Sequence, residues 1–208
     1  MNSSKTKQAA KAKTRYHHGD LKEALINAAH ELVSQKGPDH FSLTDACRLA
    51  GVSKSAPYRH FGNKDDLLQS VRDKGFKKMR QGMIAAAEDL VTGSNQCITA
   101  IGMAYIQFAV SEPALFKLMF GNSRSLPEND LTDLEGKPTF KILLDQVIAR
   151  TKLQDIGSLM SVAFPLWTLV HGASMLIIDD SYRRIYPDSN TEQMITEATK
   201  RLLAEFPE

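Results

Sequence analysis

The chain has 208 residues, 42% apolar and 24% charged, with a net charge of +2. This is the ordinary balance of a soluble globular protein, long enough for one large domain or two small ones with a buried core. No apolar run follows the N-terminal lysines, which argues against a secretory signal, and Cys47 and Cys97 form no C-x-x-C pair, so a reduced, cytoplasmic chain is the simplest expectation.

The charge is segregated. Residues 1–64 hold 11 Lys/Arg against 5 Asp/Glu, and residues 65–208 hold 15 against 19. The front of the chain is therefore expected to meet a polyanion. Residues 1–19 carry Lys5, Lys7, Lys11, Lys13 and Arg15 with no acid before Asp20. They read either as a solvated, disordered basic arm or as one laid on DNA phosphates or in a minor groove.

Helical periodicity runs almost throughout, without strand alternation, which predicts an all-α fold. A first helix opens at Asp20, with Glu23 completing a capping box, and stops at Gly37-Pro38. Ser42 with Asp45 opens a second, short helix to about residue 50; Asn63 with Asp66 opens a long one to about residue 90. Further helices are expected at about 95–110, 112–120, 139–151, 156–178 and 191–205, with a loop over 121–139. The stretch 156–178 has 23 residues without Asp, Glu, Lys or Arg, enough to span a bilayer. Its interspersed polar residues and acidic flanks favour a helix buried on every side in a protein interior.

Between the second and third helices lies G-V-S-K-S-A-P-Y-R-H-F-G-N-K-D-D-L-L, residues 51–68. Gly51 suits a corner with positive φ, and Ser53 can cap a short helix over 54–61. That layout is a helix-turn-helix, whose second helix enters the DNA major groove. On this reading Ala56 and Pro57 let the backbone approach the duplex. Lys54, Ser55 and Arg59 reach base edges or phosphates, and Tyr58, His60 and Lys64 hold phosphates.

The string closely resembles the helix-turn-helix of TetR-type transcriptional regulators, down to Y-x-H-F and the following Lys64. The resemblance implies an N-terminal DNA-binding domain over 20–66 and a ligand-binding and dimerisation domain over 67–208. It also implies that Ser42, with Thr44 beside it at the start of the second helix, assists in holding the backbone. Trp167 and His171-Gly172, with the segment 114–121, resemble a TetR subgroup with a W-x-x-x-H-G signature.

In the larger half the candidates for a small-molecule pocket are Phe76, Met79, Met83, Tyr105, Phe108, Phe116, Met119, Phe120, Trp167 and His171. Such stripes are equally the makings of a core. Helices 156–178 and 191–205 are expected to pair with their copies across a twofold axis, the latter through Met194, Ile195, Ala198, Leu202 and Leu203. No cofactor or metal is implied, since no second His or Cys stands at ligand spacing from His171. Catalytic signatures such as G-x-S-x-G, a Walker loop or H-E-x-x-H are absent from the sequence. The expected function is a homodimeric repressor, released from a pseudo-palindromic operator by a small molecule. The alternative is a ligand-independent DNA-binding protein of the same fold, architectural or activating.

Overall fold

The computed structural model describes residues 18–121 and 138–207. The expected basic arm and nearly all of the expected loop at 121–139 lie outside them. Among the described residues there are nine α-helices and no strand. They are α1 (His18–Lys36), α2 (Leu43–Leu49), α3 (Lys64–Ala87), α4 (Asn95–Ser111), α5 (Pro113–Phe120), α6 (Pro138–Thr151), α7 (Ile156–Ile178), α8 (Ser181–Ile185) and α9 (Thr191–Leu202).

Side-chain caps set most of the starts. Ser42 and Asp45 form the complete capping box of α2, and Asn63 accepts the Asp66 N–H at 2.9 Å at the head of α3. In this second case the Asp66 carboxylate accepts from Gly62 N–H rather than from Asn63, so the box is displaced by one residue. Helix α1 departs from expectation, because it is already running at His18 and Asp20 is a first-turn residue rather than the cap. It ends where expected, with Gly37 at φ 81°.

One apolar core runs from the N-terminal helices into the larger half. Leu25, Ala29 and Val33 of α1, Phe41, Ala46 and Cys47, and Leu67 and Val71 of α3 join Met79, Tyr105, Phe116 and Ile195. Helix α3 passes unbroken through the boundary expected at 66–67, so both halves share one rigid element. A second cluster joins α6 and α7 through Leu143, Leu144, Val147, Leu159, Ala163 and Leu166, with Leu203 beside them.

Helix α7 carries the 23 uncharged residues of 156–178. Within one chain it is buried on one face only, through Leu159, Ala163, Leu166, Val170, Ala173 and Ser174. Ile156, Phe164 and Leu176 remain 51%, 51% and 45% exposed. Of the residues expected at a dimer seam in 191–205, Ile195 and Leu203 lie within the chain's own core, because α9 packs against α4 and α7, whereas Leu202 is exposed and Met194 and Ala198 are half-buried.

Candidate nucleic-acid interface

The corner after α2 is built by the backbone. Gly51 adopts φ 68°, and Val52 N–H returns to the Cys47 carbonyl at 3.0 Å, turning the chain sharply. Val52 and Phe61 then anchor the following segment on the core.

That segment is not the regular helix expected over 54–61. It is a turn followed by a 3-10 helix at Pro57–Arg59. Pro57 has no N–H to donate to Ser53, so the α-helical bond at that step cannot form. The Ser53 carbonyl takes the Ala56 N–H at 3.0 Å instead. The Ser53 hydroxyl, expected as a cap, pairs with that of Ser55 at 3.2 Å. Ala56 and Pro57 are both buried, so their side chains hold the segment down, and what they leave toward the outside is backbone.

The remaining candidates do reach the surface. Ser42, Thr44, Lys54, Ser55 and Arg59 are exposed, and Tyr58 is 65% exposed. Lys64 is half-buried, with its ammonium 4.6 Å from the centre of the Phe41 ring, a cation–π contact in the first turn of α3. His60 is half-buried, and its Nε2 is sealed without a hydrogen-bond partner, so meeting a phosphate through Nε2 requires the ring to turn. The outer surface of the corner thus offers cations and hydroxyls at the head of α3. Sequence reading missed one exposed cation here, Arg48. The available signal was its position four residues after Thr44, on the same face of α2.

In the larger half six pocket candidates gather. Phe76 meets Phe120 edge-on with ring centres 5.4 Å apart. Tyr105 meets Phe116 at 5.5 Å, Phe116 meets Phe120 at 4.8 Å, and Trp167 stacks on His171 at 5.1 Å. Tyr105 and His171 share a hydrogen bond of 2.9 Å. Burial pushes the Tyr105 phenol well above its ordinary range and holds His171 below its own, so both are neutral near pH 7. Met79, Met83, Phe108 and Met119 are buried core residues, and the rings are in mutual contact. Two open spaces lie away from these rings. A groove of about 1010 Å³ runs over α4 between α3 and α9, beside Ala100, Met103 and Gln107. A cleft of about 210 Å³ lies between α1, α3 and α5 beside Gly75 and Leu115. None of the ten candidates lines either space. Both cysteines are buried, which raises their thiols and makes them inert core groups.

Helix α5 links the two regions. Glu112 at its head accepts from Lys78 of α3 at 2.6 Å and pairs with His30 of α1 at 3.1 Å. Arg72 of α3 donates to the Leu118 carbonyl at 3.1 Å. Burial raises the Glu112 carboxyl, but Lys78 and then His30 outweigh it and bring it below its ordinary value.

Family comparison agrees with this architecture. Residues 25–71 match the family of bacterial regulatory proteins, tetR family. Residues 98–202 match the tetracyclin repressor-like C-terminal domain. An uncharacterized HTH-type transcriptional regulator of Haemophilus influenzae is 26% identical over 103 residues, 49% of this chain and 50% of that protein. The HTH-type transcriptional repressor BepR of Brucella suis is 29% identical over 75 residues, 36% of each chain. The chain thus aligns with half or less of the length of these curated relatives. In fold it is similar to a protein of unknown function from a Rhodococcus species, with TM-score 0.75, 22% identity and coverage of 94% of this chain and 100% of that one. It is likewise similar to a tetR-family transcriptional regulator from Streptomyces coelicolor, with TM-score 0.65, 14% identity and coverage of 89% and 80%. With nine α-helices and no strand among the described residues, a helix-turn-helix corner facing outward and family matches over both halves, the chain belongs to the TetR family of DNA-binding transcriptional regulators.

Proposed function

We propose that the protein is a homodimeric repressor that holds a pseudo-palindromic operator and lets go when a small molecule binds its larger half. The observation that carries this reading is the outward set Lys54, Tyr58 and Arg59 around the Gly51 corner, with the half-buried Lys64 beside them at the head of α3. Two such corners spaced by one duplex turn, ~34–36 Å, would read two half-sites. The half-exposed apolar face of α7, through Phe164 and Leu176, is the surface a second copy would cover. The repressor sense is supported by the similarity to BepR.

The effector is proposed to enter the aromatic cluster by parting Phe116 and Phe120 from Tyr105 and His171. Those two phenylalanines ride on α5, and Glu112 and Arg72 tie α5 to α1 and α3. A ligand that prefers the parted arrangement by ~1–3 kcal/mol changes DNA affinity about 5–150-fold. The close ring packing favours the second reading, a regulator that needs no ligand. A screen of metabolites by thermal shift, repeated on the DNA complex, separates the two: a ligand that stabilises the free protein and releases the duplex supports the first.

Lys64→Ala tests the DNA contact itself. Against a duplex selected from a random pool, it is expected to flatten the salt dependence of log K by ~0.9 for each phosphate that is no longer neutralised. An unchanged slope contradicts a phosphate clamp at Lys64.

A further inference from the structure

The resemblance to TetR regulators gives Ser42 a share of the backbone contact, but the structure commits its hydroxyl elsewhere. A phosphate oxygen only accepts, so Ser42 would have to donate to it. Ser42 Oγ donates to Asp45 Oδ2 at 2.7 Å and accepts the Asp45 N–H at 3.2 Å. The same carboxylate oxygen takes the Ser42 N–H at 2.9 Å. These bonds, the hydroxyl's first, hold the Asp45 carboxyl below its usual range. Asp45 is therefore an ionised acceptor, and the shared hydrogen must come from Ser42. Turning that hydroxyl toward DNA would strip one anion of its donor next to another.

The other oxygen of Asp45 is occupied as well. Oδ1 accepts from Arg48 Nη2 at 2.9 Å. The Arg48 side chain is 76% exposed. A guanidinium carries five N–H donors, and this bond uses one. With one edge anchored on a carboxylate, the other edge is open and oriented, the geometry in which arginine binds phosphate. Arg48 follows Thr44 by four residues, so both exposed side chains share one face of α2. An exposed ion pair three residues apart adds little to stability, so a structural duty for Arg48 is slight.

We propose that Arg48, positioned by Asp45, supplies the phosphate contact of α2, and that Ser42 serves only as the helix cap. This rests on the DNA-binding reading above. The test is a salt series of anisotropy titrations on a selected duplex, with melting temperatures measured alongside. Arg48→Ala is expected to flatten the salt slope by ~0.9 with the melting temperature unchanged, and Arg48→Lys to restore much of that slope. Ser42→Gly removes the hydroxyl at small cost to the cap and is expected to leave the slope alone. A wild-type slope for Arg48→Ala, with Lys64→Ala flattened, overturns this proposal and spares the wider reading. A flattened slope for Ser42→Gly also overturns it. If neither Arg48→Ala nor Lys64→Ala moves the slope, the DNA-binding surface itself is misassigned.

Discussion

Glu112 shows how much one carboxylate can organise. Its two oxygens face a lysine from α3 and a histidine from α1, and its backbone forms the bend between α4 and α5. Its folded value lies below its ordinary 4.5, so the interaction stabilises the fold fully above that pH and fades as pH falls through the depressed value. Lys78 is 59% exposed, which keeps the contribution modest. Glu112→Gln is expected to lose about 1 kcal/mol at pH 7, with the gap to wild type closing in acid. Chemical denaturation at pH 7 and pH 3.5 checks this, and an equal gap at both would exclude the charge as the cause. His171 contributes in the same sense for a different reason: a ring kept neutral by burial resists protonation, so stability falls as pH drops below its ordinary 6.5.

Elements are legible in this sequence where a single side chain closes their ends. Ser42 with Asp45 and Asn63 with Asp66 mark two helix starts correctly, because these caps are local bonds between residues three apart, and Gly37 marks the end of α1 by its positive φ. The start of α1 is not legible in the same way, because the capping pattern at Asp20 and Glu23 lies inside a helix that begins two residues earlier. The recognition segment departs from the expected helix because Pro57 removes one bond, and the core position of its ring then depends on tertiary packing. In the site, the outward cations follow from the pattern, whereas the inward turn of Ala56 and the commitment of the Ser42 donor depend on neighbours and directions. Gly93 belongs to the same class. Its φ is 79°, and an added Cβ would stand 2.8 Å from the Arg150 backbone nitrogen, where α6 passes the start of α4. Gly93→Ala is expected to cost about 2 kcal/mol, a fall of roughly 4–8 °C in melting temperature. A melt superimposable on wild type would show that this close approach relaxes freely.

At the scale of the molecule, α3 begins at the helix-turn-helix corner and runs on through the core of the larger half, so one continuous helix joins the two. The one-sided burial of α7 leaves Phe164 and Leu176 in want of cover, and a second copy would supply that cover while setting the distance between two recognition corners. The central claim is therefore a paired readout: two chains, two half-sites, one duplex. Native mass measurement of the protein on a duplex selected from a random pool tests it most directly. The account predicts two chains per duplex over a pseudo-palindrome, and weak binding of single chains for Phe164→Asp. One chain per duplex at saturation, or no retained duplex at low ionic strength, would contradict it.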